Sequence, residues 1–212
     1  MAVEYTPAKP VVVELSAQDL RSRLYEALDV YVTAMGYPRG TEHHRAPMWT
    51  EHVTRPGWRA VGALLPTTST AASGEIGTAA SGEIATASQL VAIAYGYRGA
   101  PQQWWQTQVH AGMRKAGWGE ADIRTMLANY FEVTEVHVHP DAQGHRLGET
   151  MLAKLLDGRS EERALLSTPE VSGENNRAWR LYRRLGFTDV VRNFTFAGDS
   201  RPFAVLGRRL PL

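Results

Sequence analysis

The stretch 131–150, FEVTEVHVHPDAQGHRLGET, constrains the fold of this chain more than any other. Its first part alternates and is rich in Val, the pattern of a strand. Pro140 ends the ladder, because it has no N–H to donate and keeps the preceding residue extended. A glycine-bearing turn follows over 143–148, and from Leu147 onward Met151, Leu152, Leu155 and Leu156 recur at helical spacing. A strand that turns directly into a helix leaves backbone N–H groups without intrahelical partners at the positive end of the helix dipole. Glycine in the turn lets those amides approach a diphosphate closely. No Gly-Lys-Ser or Gly-Lys-Thr follows, which disfavours a nucleoside triphosphate. A dinucleotide-binding turn would want three glycines, and only Gly144 and Gly148 are present.

The following segment sharpens this outline. After a second apolar run, 163–168 (RALLST), come Asn175, Ala178, Leu181, Tyr182, Gly186 and Phe187. With Val138, Pro140, Gln143 and Gly148 they match V-x-P-x-x-(Q/R)-x-x-G-x-(G/A) followed by N-x-x-A-x-x-L-Y-x-x-x-G-F. In these motifs the chain resembles the GNAT (GCN5-related) N-acetyltransferase family. The resemblance covers residues 130–196 well and the N-terminal half in general layout. One position departs from it: where the family usually has its first motif glycine, this chain has Arg146. Either the Arg146 backbone is tolerated there with the side chain turned outward toward a phosphate, or the cofactor sits differently.

The resemblance implies acetyl-CoA as cosubstrate and an amine as acceptor. Acetyl transfer then needs a base for the amine, a hold on the thioester carbonyl and a proton for the leaving thiolate. By the family's pattern Glu132 is the general base, directly or through water. Strict alternation puts Glu132, Thr134, Val136 and Val138 on one strand face and Val133, Glu135 and His137 on the other. Glu135 is the reserve base, since a bulge would swap the faces beyond it. The backbone amides of Val136, His137 and Val138 are expected to pair with the pantetheine arm as another strand would. Gln143, Gly144, His145, Arg146, Leu147, Gly148 and Glu149 would hold the pyrophosphate. Asn175 would hydrogen-bond the arm, and Tyr182 would protonate the thiolate. No metal is expected: His43, His44 and His52 form no H-E-x-x-H pair, and His137 with His139 lacks a third ligand.

Chain order supports one domain of α/β or α+β class, a mixed, mostly antiparallel twisted sheet flanked by helices. A short β-branched run lies at 10–15, and strands are expected at 58–65, 90–97, 131–138, 163–168, 187–196 and 202–206. Helices are expected over 16–36, around 48–53, and over 102–116 and 120–129. Two insertions are marked: 66–89, with the repeat TAASGEIG and TAASGEIA, reads as a mobile hairpin without chemistry, and 100–130 reads as a helical insertion. Tyr37, Trp49 and Trp58, with the aromatics of the helical insertion, are candidates for the acceptor pocket wall.

A length of 212 residues suits one domain with ample core, and a formal net charge of +1 gives no reason to expect nucleic acid or a membrane as partner. Arg192, Arg201, Arg208 and Arg209 read as a solvated surface. The chain has no cysteine, which removes a thiol nucleophile and favours a cytoplasmic protein. The N-terminus does not read as a signal peptide. With no Ser motif of nucleophile-elbow type either, direct transfer in a ternary complex is expected. A homodimer is a family-level expectation. The competing reading is a catalytically inactive domain that binds acyl-CoA as a sensor or interaction module.

Overall fold

The computed structural model describes residues 9–66 and 88–212; the repeat lies outside the described residues. Along the chain run β1 (Val11–Leu15), α1 (Ala17–Ser22), α2 (Leu24–Met35), α3 (Thr41–His52), β2 (Arg59–Pro66), β3 (Ser88–Arg98), α4 (Trp104–Lys115) and α5 (Glu120–Met126). Then follow β4 (Tyr130–Val138), α6 (Leu147–Leu156), β5 (Arg163–Pro169), α7 (Arg177–Arg184), β6 (Thr188–Phe194) and β7 (Phe203–Arg209). The described strands form one seven-stranded sheet in the order β1-β2-β3-β4-β5-β7-β6. Every pairing is antiparallel except β4 with β5, as expected for a mixed, mostly antiparallel sheet.

Local chemistry sets most boundaries. Ser16 and Asp19 form a reciprocal capping box that starts α1. The expected single helix over 16–36 breaks at Arg23, whose backbone (φ −106°, ψ 18°) leaves helical geometry, and α2 stops at Gly36 in the left-handed conformation. The helix expected around 48–53 starts at Thr41 instead: the Glu42 carboxylate accepts from the Gly40 N–H at 2.6 Å, and Pro47 is carried inside the helix. That helix has no broad apolar stripe, so its first half gives little periodic signal.

Apolar side chains pack on both sheet faces. Met151, Leu152 and Leu155 of α6, with Trp179 of α7, pack against Phe131, Val133 and Leu166. On the opposite face Leu28 and Tyr31 of α2 and Trp49 of α3 pack against Ile93, Tyr95 and Tyr97. Helices α4 and α5 cover Tyr130, Leu165 and Val205 through Val109, Met113 and Ile123.

Two irregularities in β4 position the site. The β3–β4 register shifts between Tyr95 and Gly96: Tyr95 opposes Glu135 and Gly96 opposes Val133, so Thr134 is the extra residue of a β-bulge. Gly96 makes the bulge feasible, since a Cβ there would lie 2.1 Å from the Glu132 carbonyl oxygen. The strict alternation expected from sequence is therefore corrected. Beyond the bulge Val136 and Val138 pack on the α6 side, and Glu135 and His137 come round to the face already occupied by Glu132. The second irregularity is a parting. The parallel ladder joins β4 to β5 only at Tyr130–Arg163, Phe131–Ala164 and Glu132–Leu165. Past Glu132 the strands diverge, and the edge of β4 facing β5 has no ladder partner.

Candidate active site

The parting opens into a cleft of about 1200 Å³ whose walls are the diverging strands, the start of α6, one side of α7 and the α2–α3 pair. Glu132 lies at its base where the ladder ends, 3% exposed. Its Oε1 accepts a hydrogen bond from the Tyr97 hydroxyl at 3.1 Å, while its Oε2 has no hydrogen-bond partner. Burial pushes the Glu132 carboxyl up to about 8, against the opposing effects of the Tyr97 hydrogen bond and the Arg55 charge. Where it is ionised, a carboxylate of that basicity can take a proton from an ammonium.

Glu135 and His137 complete the acidic side of the cleft. His137 Nε2 lies 2.6 Å from Glu135 Oε2, and the His137 ring meets Tyr31 edge-on at 4.9 Å. His52, at the same end, bonds to the Tyr95 hydroxyl through Nδ1 at 3.0 Å; burial, with the Arg55 charge, pulls it down to about 4. It is therefore neutral at neutral pH. From the other wall Tyr182 reaches the cleft while packing edge-on against Phe187. Burial, then the Glu135 charge, raise its phenol well above the ordinary range, so it keeps a proton to give.

The opposite end carries cationic side chains and the start of α6. Arg146 is the N-cap of α6 in the left-handed conformation (φ 55°, ψ 21°), so it takes the backbone shape that a glycine would take at lower cost. Gly144 just before it has φ +96°. The first turn of α6, Leu147, Gly148 and Glu149, lines this end of the cleft, and a helix's first-turn amides have no intrahelical partner. Arg146, Arg177, Arg180 and Arg184 border it; Arg177 donates to the Gln143 side-chain oxygen and Arg184 to Glu149 at 2.8 Å.

Glu132, Glu135, Val136, His137, Val138 and Tyr182, and around the turn Gln143, Gly144, Arg146, Leu147, Gly148 and Glu149, all line this one cleft. His145 and Asn175 do not; both are exposed. The Asn175 side-chain oxygen accepts from Arg180 at 2.9 Å, whereas Asn176 caps α7 and lines the cleft. Of the aromatic candidates Tyr37, Trp104 and Trp105 line the wall, Trp105 fixed to β5 by its bond to Ser167 at 3.2 Å. Trp49 is fully buried and Trp58 packs at the edge of the same cluster, so neither reaches the cleft. Arg201, expected on a solvated surface, borders it. Tyr97, His52 and Arg45 are cleft residues that sequence reasoning did not place there, whereas Tyr31 sits on a helix whose aromatics read as core or pocket wall. Tyr97 opposes Glu132 across the β3–β4 ladder, a register that only the folded sheet reveals. Among the described residues no three His, Asp or Glu side chains group closely enough to hold a metal.

Comparison with known proteins supplies the family. The model of the acetyltransferase (GNAT) domain matches residues 72–189, more than half of the chain. A GCN5-like protein acetyltransferase of Mycobacterium tuberculosis is 53% identical over 201 residues, covering 94% of this chain and 98% of that protein. A GNAT-family structure from Desulfovibrio desulfuricans superposes with a TM-score of 0.58 at 13% identity, covering 94% of this chain and 99% of the other. The yncA acetyltransferase of Salmonella typhimurium, solved with acetyl-CoA, superposes with a TM-score of 0.52 at 14% identity, covering 97% and 96%. A PaiA N-acetyltransferase of Thermoplasma acidophilum, solved with coenzyme A, gives a TM-score of 0.51 at 13% identity, covering 95% and 99%. With its two motifs converging on one cleft, this chain belongs to the GNAT acetyltransferase family and is an acyltransferase of that type.

Proposed function

We propose that this protein moves the acetyl group of acetyl-CoA to a lysine side chain of a protein, by direct transfer with both substrates bound together. The observation that carries the proposal is the buried, half-unpartnered carboxylate of Glu132 at the meeting point of the cleft's two ends. The name of the M. tuberculosis relative, a protein acetyltransferase 53% identical, supports a protein as acceptor. The residues present suit the cosubstrate. The free edge of β4 at Val136, His137 and Val138 offers backbone groups to an extended amide-bearing arm. The start of α6 and its bordering arginines offer donors to a diphosphate.

Acetyl-CoA supplies an activated acetyl group and a thiolate leaving group. Glu132 Oε2 accepts a proton from the incoming ammonium, directly or through a water, and Tyr97 holds the carboxylate in place. Glu135, kept in position by His137, adds negative charge on the path of the amine. Tyr182 donates its phenolic proton to the departing thiolate. In this scheme Asn176 rather than Asn175 faces the arm. The chain has no cysteine, so no thiol is available to carry the acetyl group covalently.

A free-thiol assay with acetyl-CoA and lysine-containing proteins, read in parallel by mass spectrometry for acetylated lysine, tests the proposal. Intersecting initial-rate lines are expected for direct transfer. Parallel lines would overturn the direct route, and absence of thiol release above hydrolysis with any protein or peptide would overturn the acceptor.

A further inference from the structure

The acceptor end of the cleft is bordered by three arginines, and their partners differ. Arg55 is paired with Glu51 at 2.9 Å and Arg201 with Asp199 at 2.7 Å. Arg45, on α3, makes no salt bridge among the described residues. It contacts the Met48 sulfur at 3.8 Å, and its guanidinium carbon stands 5.5 Å from the centre of the Tyr31 ring. It is half-buried. A guanidinium carries five N–H donors in a planar fork, and a thioether and a ring face satisfy almost none of them.

Its location relates this incomplete set of contacts to the acceptor. Tyr31, under the Arg45 guanidinium, meets His137 at 4.9 Å, and His137 holds Glu135. Two rings in sequence, Tyr31 and His137, therefore separate Arg45 from the Glu135 carboxylate. An extended peptide advances roughly 3.3–3.6 Å per residue, so a side chain a few positions from the reacting lysine spans that gap.

We infer that Arg45 is a specificity-determining residue, seating an aspartate or glutamate that lies close in sequence to the reacting lysine. A carboxylate fits the planar fork through two parallel hydrogen bonds, whereas an arginine or lysine in its place meets a like charge. The inference rests on the protein-lysine acceptor proposed above and adds which lysines are chosen.

Matched peptides carrying one lysine flanked by aspartate, serine or arginine test it, with kcat/KM measured by thiol release for the wild type, Arg45→Gln, Arg45→Lys and Arg45→Glu. For the wild type the aspartate peptide is expected to exceed the serine peptide by about tenfold, mostly through KM, with the margin shrinking as salt is added. Arg45→Gln should level the series, Arg45→Glu should turn it toward the arginine peptide, and all variants should keep the KM for acetyl-CoA. Arg45→Lys keeps the charge without the fork and should retain part of the preference, which preserves the test if Arg45→Gln fails to fold. Turnover indifferent to flanking charge, or a preference that survives in Arg45→Gln, overturns the inference alone. Free lysine or another small amino acid turned over better than every peptide overturns the commitment to a peptide segment. No turnover of any peptide overturns the protein-acceptor proposal, and this inference with it.

Discussion

At the scale of single residues the chemistry turns on the protonation of Glu132. Its carboxyl is held near 8, so at pH 7 most molecules carry it protonated and unable to act as a base. The wild-type kcat/KM should therefore climb with pH and bend near 8. Glu132→Gln should lower kcat/KM by about 10²–10⁴-fold and abolish that bend. The same shift affects stability. In the unfolded chain the carboxyl ionises near its reference value of 4.5, while in the folded protein it keeps its proton up to about 8. The unfolded state thus binds fewer protons between those values. Stability relative to the Gln variant is fully present below 4.5 and is lost as pH rises toward 8, by about 3–5 kcal/mol in all. Denaturant titrations of both proteins at pH 5 and pH 8 check this, and a difference that stays constant with pH would contradict it. Tyr182→Phe removes the proton donor while leaving a ring that still packs on Phe187. A drop of about a hundredfold in kcat with little change in the KM for acetyl-CoA is expected.

At the scale of elements, the turn into α6 and the bulge in β4 differ in how much of them the sequence discloses. The turn is local: Pro140, Gly144 and the apolar period after Leu147 lie side by side in the chain, and each acts on its own neighbourhood. The bulge depends on a partner strand. Nothing within 131–138 distinguishes a bulged from a regular strand, because the cause is the approach of Gly96 to the Glu132 carbonyl from β3. For that reason alternation placed Glu132 and Glu135 on opposite faces, while the folded chain sets them on the same side of the cleft. Part of the acceptor wall was hidden in the same way: Tyr37, Trp104 and Trp105 were legible as aromatics beside a pocket, but Arg45 and His52 come from a helix whose docking no local pattern reveals. Arg146 carries a prediction at this scale. Its left-handed backbone costs about 1 kcal/mol relative to glycine. Arg146→Gly should raise the melting temperature slightly, yet raise the KM for acetyl-CoA severalfold by removing a cation from the diphosphate end. An unchanged KM would show that the side chain turns away from the phosphates.

At the scale of the whole molecule, the sheet is nearly two sheets. One part, β1 to β4, carries α1 to α3 and the acceptor wall; the other, β5 to β7, carries α7 on its way back toward the turn. Between them stand three rungs of parallel ladder, Tyr130–Arg163, Phe131–Ala164 and Glu132–Leu165, and beyond those rungs the strands part. A ligand lying in the parting adds contacts across the seam that the unliganded chain lacks, and a ligand that binds only the folded state raises stability by RT ln(1 + [L]/Kd). At a coenzyme A concentration of about 100 Kd this amounts to about 2.7 kcal/mol, or about 5–10 °C in Tm for a chain of this size. Hydrogen exchange locates the gain. Slowing should concentrate in the amides of Val136, His137 and Val138, in 166–168 across the seam, and in the first turn of α6, while β1 and α1, remote from the seam, change little. Protection confined to α6 would mean that the diphosphate binds without the arm entering the parting, and the backbone role proposed for β4 would then fail while the phosphate end survived.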